Sequence, residues 1–207
     1  MNVPKEMAAV PQWLLWKYIV RDGKQTKCPF RVNGSTASST DPATWSTLED
    51  VMLPIERYEG IGFVFTRDDQ FIGIDLDGCR DANTGELEPW AAAIYERFSG
   101  TYAEVSPSKT GIKIFCKTEK RWIGPNKCDA RGENKFGKKP QIEVYQAGRF
   151  FCFTGERYGE ATEVVFLEES VLWLEKAMIA RVGALEGKVH VSGVTLETPL
   201  IERARAY

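Results

Sequence analysis

No apolar run in the sequence approaches the roughly 20 residues needed to cross a bilayer, and the opening MNVPKEMAAVPQW lacks the apolar segment of a secretory signal. Both absences point to an intracellular, cytoplasmic protein with no membrane partner. The five cysteines, Cys28, Cys79, Cys116, Cys128 and Cys152, are odd in number and scattered, with no C-x-x-C pair. That pattern excludes a zinc ribbon and a disulfide framework, and leaves reduced, mostly buried thiols as the expectation. Internal repeats and low-complexity segments are also lacking. What remains is the composition of an ordinary globular chain, 43% hydrophobic and 27% charged over 207 residues, enough for one domain with a sizeable core plus a short appendage.

The net charge of -2 conceals an uneven distribution. Between Val105 and Phe150 eleven Lys or Arg face four acids, Glu119, Asp129, Glu133 and Glu143, so the rest of the chain is correspondingly acidic. Taken alone such a segment could be only a solvated face.

Periodicity organises the chain as follows. WLLWKYIV and KCPFRV read as an N-terminal hairpin turning at Asp22 and Gly23, with Pro29 suited to an edge strand. STLEDVMLPIERY reads as a helix capped by Ser46 or Thr47 and broken at Pro54. GIGFVFT (residues 60–66) and FIGIDLD (71–77) read as paired antiparallel strands, and PWAAAIYERF as a helix with proline in its first turn. TYAEVS and GIKIFCK form the next strand pair. A long basic loop spans Thr118 to Pro140, and QIEVYQ with RFFCFTG reads as a hairpin turning at Ala147 and Gly148. EVVFLEESVLWLEKAMIARV carries helical spacing. Mixed strands and helices without β-α-β alternation give an α+β class with a mostly antiparallel sheet and flanking helices. Residues 1–182 are expected to form the domain, and 183–207 a tail or linker that could lead toward a missing C-terminal region.

The chemistry concentrates in FIGIDLDGC. Alternation sends Ile72, Ile74 and Leu76 to one face and Gly73, Asp75 and Asp77 to the other, with the two aspartates roughly 7 Å apart at the backbone. The same rule puts Lys113 of GIKIFCK and Glu143 of QIEVYQ opposite their apolar neighbours. If these strands share a sheet, one face collects Asp75, Asp77, Glu143 and Lys113, a poor stabiliser but a good site for hard divalent cations and phosphates. Ser106, Ser108 and Lys109 in the turn SPSKTG, with Lys113 and Arg149, would offer charge and accessible backbone N–H groups to phosphate oxygens. Phosphoryl or nucleotidyl transfer fits this set. A turn-capping role for Asp75 and Asp77 is the plain alternative. Three other Asp-x-Asp readings fit less well. The phosphatase motif belongs to a parallel doubly wound fold and is followed by Thr or Val where Cys79 stands. The EF-hand needs its turn glycine two places later. The toprim domain needs an earlier strand-borne glutamate.

Together, IDLDG, SPSKTGIKIF and IEVYQAGRFFCFTG resemble, in order and approximate spacing, the three motifs of the primase-polymerase (prim-pol) domain of the archaeo-eukaryotic primase superfamily, as found in phage and plasmid replication proteins. GKQTKCPF and ASSTDPATW also look like segments that precede the catalytic strands in phage members. The resemblance covers about residues 11–155 and implies an RRM-like catalytic core acting as a DNA primase, a DNA polymerase or both. It implies that Asp75, Asp77 and Glu143 hold two Mg2+ or Mn2+ ions, and that Lys113, Arg149 and the Ser106/Ser108/Lys109 turn hold the triphosphate of a dNTP or NTP, with Lys27 a further phosphate candidate. Trp122, Lys127, Arg131, Lys135, Lys138 and Lys139 would track a single-stranded DNA template and primer. A helicase domain or protein is a possible partner. The chain departs from the pattern where the second motif often carries a histidine: Lys113 stands there, and the only histidine, His190, is remote. A lysine keeps the charge for phosphate binding without the proton-transfer role. The runner-up function is a non-catalytic module that binds single-stranded nucleic acid.

Overall fold

The computed structural model describes residues 1–186; the expected tail lies outside them, except that its first residues continue the last helix. Strand β1 (Trp13–Arg21) pairs antiparallel with β2 (Lys24–Phe30) across a two-residue turn. Asp22 and Gly23 both have positive φ there, 51° and 74°, the geometry that matches the twist of a hairpin. β1 also pairs with β3 (Gly60–Phe65), and β3 with β9 (Arg149–Phe153), giving a four-stranded sheet in the order β2-β1-β3-β9. The second sheet has five strands in the order β5-β6-β4-β8-β7: β4 is Phe71–Asp77, β5 Ala103–Val105, β6 Ile112–Lys117, β7 Lys127–Asp129 and β8 Gln141–Tyr145. Every pair within both sheets is antiparallel, so the α+β, mostly antiparallel expectation holds.

The helices are α1 (Lys5–Ala8), α2 (Leu48–Met52), α3 (Pro89–Phe98) and α4 (Glu168–Glu186). Thr47 caps α2 by accepting from the Asp50 N–H, and the helix stops short of Pro54 as expected. α3 and α4 cover one face of the second sheet. Ile72, Ile74 and Leu76 of β4 pack there with Ile94 and Phe98 of α3 and Leu174 and Met178 of α4. On its other face the second sheet meets the first through an aromatic core that includes Phe71 and Phe115 from one sheet and Phe63, Phe65, Phe151 and Phe153 from the other.

Two expected pairings are corrected. β3 and β4 are not partners, and neither are β8 and β9; in both cases the chain leaves one sheet and enters the other. Alternation reports which face a side chain takes but not which strand lies beside it. β4 is buried along its whole length and has neighbours on both edges, β6 and β8, which leaves no edge for β3. Asp69 holds the first corner, accepting from the Phe71 N–H (2.7 Å) and from Gln12 Nε2 (2.6 Å). Gly148, at φ 68°, makes the second, and its N–H donates to the Phe65 carbonyl. The basic loop also contains the short strand β7. The last helix begins at Glu168, several residues later than its sequence pattern suggests.

Gly73 shows how closely the sheets approach. A Cβ at this position would stand 2.3 Å from Phe65 Cζ and 2.5 Å from Phe151 Cε2, two rings locked in the aromatic core. Gly73→Ala should therefore lower stability by about 2 to 3 kcal/mol through overpacking, read as a drop in the urea midpoint with little change in slope.

Candidate active site

Strand register assembles the site. Asp75 on β4 is directly opposite Lys113 on β6 and Glu143 on β8, Glu143 is opposite Lys127 on β7, and Lys113 is opposite Glu104 on β5. A single row of charge therefore crosses all five strands: Glu104, Lys113, Asp75, Glu143, Lys127. Partners in register share a face, here the face turned away from α3 and α4. Asp77, two residues along β4, joins the same face at the strand end.

Two acids side by side in this row form an electrostatic fault that the surrounding lysines offset. Lys113, only 4% exposed, pairs through its ammonium with Asp75 Oδ2. Lys127 Nζ lies 2.7 Å from Glu143 Oε1 and Lys138 Nζ 2.5 Å from Asp77 Oδ1. Arg149 is 4.0 Å from the second oxygen of Glu143, with its guanidinium over the Tyr145 ring. Burial pushes the Asp75 carboxyl above its ordinary range, partly countered by Lys113 and reinforced by Asp77. Lys113 loses charge stability to burial, but the Asp75 carboxylate more than restores it, so its ammonium is held charged.

Among the described residues no three His, Cys, Asp or Glu side chains stand close enough together to form a ready-made metal cage. The donor chemistry nonetheless suits a hard cation. Asp75 Oδ1 is buried and has no hydrogen-bond partner, and Asp77 and Glu143 offer further carboxylate oxygens on the same face.

The Ser106–Gly111 turn sits at the exit of β4. Gly111 packs so closely on the Leu76 carbonyl that a Cβ would come within 2.5 Å of it, and the Thr110 carbonyl accepts from the N–H groups of Cys79 and Arg80. The Oγ atoms of Ser106 and Ser108 are 3.0 Å apart. Lys109, at φ 65°, is half exposed and pairs with Glu156. Lys27 lies on the first sheet with its ammonium 5.4 Å from the Trp16 ring; its charge acts on the buried Cys152 thiol, which also senses Lys113.

The basic segment is not laid out as one continuous track. Lys135 pairs with Glu88 and Lys139 with Asp129, while Arg131 is exposed. Trp122 packs against the core beneath α3 and α4, the side of the sheet opposite the carboxylates, and its backbone N–H donates to Gln146 Oε1. It is not presented as a stacking surface beside them. The sequence reading passed over Glu104. Alternation through TYAEVS, the segment already paired with GIKIFCK, would have put Glu104 on the face of Lys113.

No protein-family model matches the chain. A search of curated proteins finds the DNA Primase-polymerase of Nitratiruptor phage NrS-1, 32% identical over an alignment of 177 residues that covers 83% of this chain. The chain is related to a phage primase-polymerase. The resemblance read from its motifs is thereby borne out at the level of the family. The chain spans about a quarter of that relative's length, since the match covers 23% of it.

Glu104 is wholly buried and accepts from the N–H groups of Thr154 and Gly155, yet burial outweighs these bonds and pushes its carboxyl up to about 7. A carboxyl whose folded pKa exceeds its unfolded value stabilises the fold below the unfolded pKa and loses that contribution as pH rises through the folded one. Stability should thus fall by about 3 kcal/mol between pH 4.5 and 7 on account of this group, and Glu104→Gln should flatten that part of the profile, measured by urea denaturation at stepped pH.

Proposed function

We propose that the chain is the catalytic prim-pol domain of a replication protein, spanning residues 1–182, and acts as a template-directed nucleotidyltransferase: a DNA primase, a DNA polymerase or both. The observation that carries this reading is the row in which Asp75 and Glu143 adjoin, flanked by the buried Lys113 and with one Asp75 oxygen unpartnered. Asp75, Asp77 and Glu143 would hold Mg2+ or Mn2+, which when bound supplies the Lewis acidity that activates a primer 3′-hydroxyl and stabilises the charge at the α-phosphate. Lys113, Arg149 and the Ser106–Gly111 turn bind and orient the triphosphate of a dNTP or NTP, with Lys27 at the margin. Lys113 serves as a point charge on phosphate oxygens and takes no part in proton transfer.

Single-stranded template and primer would lie along the basic segment. Lys127 and Lys138 turn from the carboxylates to the nucleic-acid backbone as cations take their place. The reading entails a protein working inside a bacterial host, encoded by a phage or plasmid, beside a helicase domain or protein. Among the described residues no helix is long and apolar enough to cross a membrane. A phosphatase of the Asp-x-Asp type is disfavoured because β4 is antiparallel to both of its neighbours. The alternative of a silent nucleic-acid-binding module draws on one observation, the lysines already paired with all three acids.

One assay separates the two. Labelled dNTPs and NTPs are supplied with primed and unprimed single-stranded templates, under Mg2+ and Mn2+ in turn. The wild type should incorporate nucleotide, and Asp75→Ala with Asp77→Ala should lower the rate by at least about a hundredfold while retaining single-strand binding. A wild type that incorporates nothing with either metal sinks the enzyme reading.

A further inference from the structure

Lys113 poses a problem in the nucleotide-free site, before the triphosphate proposed to meet it has arrived. Its ammonium is buried, and its direct partner is Asp75, the carboxylate proposed to turn toward a divalent cation. A buried ammonium deprived of its partner, with a dication arriving next to it, is strongly disfavoured. Until phosphate oxygens arrive, Lys113 and the cation compete for Asp75 unless another anion takes over.

The register supplies that anion. Glu104 lies on the other side of Lys113 from Asp75, directly opposite it on β5 and on the same face, where the Lys113 charge already acts on its carboxyl. Glu104 is 0% exposed, and no step of the proposed reaction uses it. It is fixed in place: Oε1 accepts from the Thr154 N–H, Oε2 from the Gly155 N–H, each at 2.9 Å, and the Tyr102 hydroxyl reaches Oε2 at 3.3 Å. The turn it holds leads to Glu156, the partner of Lys109 in the Ser106–Gly111 turn. Glu104 thus faces the lysine and holds the turn whose Glu156 pairs with the loop expected to meet the triphosphate.

We propose that Glu104 is a positioning residue, the alternate counter-ion that keeps Lys113 charged and in place when Asp75 is given over to a divalent cation. The inference rests on the metal-binding reading of Asp75. It predicts a coupling between Glu104 and metal affinity that runs only through Lys113.

Mn2+ binding at a pH of about 8, where a carboxyl pushed up to about 7 is ionised, followed by the loss of the free-ion electron paramagnetic resonance signal, tests this without reference to catalysis. Glu104→Gln should weaken Mn2+ binding on the order of tenfold, within the range of site-to-site coupling energies, because Lys113 is then left with Asp75 alone. In a Lys113→Met background the same substitution should have no effect, since no ammonium remains to be neutralised. Glu104→Asp, which keeps the charge, should bind Mn2+ like the wild type. Equal weakening with and without Lys113, or a Glu104→Asp variant as weak as Glu104→Gln, shows a purely structural role and overturns the proposal. Should Glu104→Gln alone fail to fold, comparing Glu104→Asp with wild type, and the double variant with Lys113→Met, still decides. Mn2+ binding unchanged by Asp75→Ala with Asp77→Ala would instead overturn the metal-site reading, and the proposal with it.

Discussion

The adjacency of Asp75 and Glu143 on neighbouring central strands is the constraint to which the rest of the molecule is fitted. Two carboxylates in register, each about nine-tenths buried, repel one another and lose hydration together. The fold accommodates them with one lysine apiece from β6 and β7, and a third reaching Asp77 from the loop before β8. That loop is drawn in tightly: the Lys138 carbonyl lies 2.3 Å from where a Cβ on Gly78 would be, and Gly78 has φ 61°. A side chain there would be strained in backbone and would push the loop off the strand end.

Placing this row at the centre of a sheet requires β4 to be buried on both faces, which in turn requires two cores. The helix-side core grips Ile72, Ile74 and Leu76; the aromatic core grips Phe71 and closes over Gly73. The acids begin where the aromatic wall ends, so Lys113 has its ammonium 4.5 Å from the Phe151 ring on one side and carboxylates on the other. Low-dielectric walls next to the charges strengthen every interaction among them, which would suit a site proposed to hold multiply charged ligands.

This division explains what could be read from the sequence. Faces were legible because strand alternation is a local property of the chain: Asp75, Asp77, Lys113 and Glu143 were assigned to one face from their apolar neighbours alone. Helix ends were legible where a cap or a proline marked them, as at Thr47 and Pro89. Strand partners were not. The chain passes from β3 to β4 and from β8 to β9 through short loops that look like hairpin turns, and only the occupied edges of β4, by β6 and β8, and of β8, by β4 and β7, make them crossings between sheets. Lys127 and Lys138 were read as part of a basic loop because their partners are far away in sequence or across a strand pair. Trp122 was read among the template-tracking residues because composition cannot tell the outer face of a loop from the face packed against the helix-side core.

Because each acid already has a lysine, the fold does not depend on a cation to hold it together. Small metal domains behave differently, since their ligands repel or remain unpaired until metal arrives and binding is therefore folding. Here a cation would enter by exchange, releasing ammonium groups rather than ordering the chain. The released groups are not equivalent. Lys127 and Lys138 have half-exposed side chains, 48% and 46%, and can move into solvent or onto a phosphate. Lys113, with 6% of its side chain exposed, cannot swing out to solvent and meets a phosphate only where it stands. A charge that cannot leave must be satisfied where it stands, which is why the buried acid on its far side is proposed to matter to the row alongside Asp75 and Glu143.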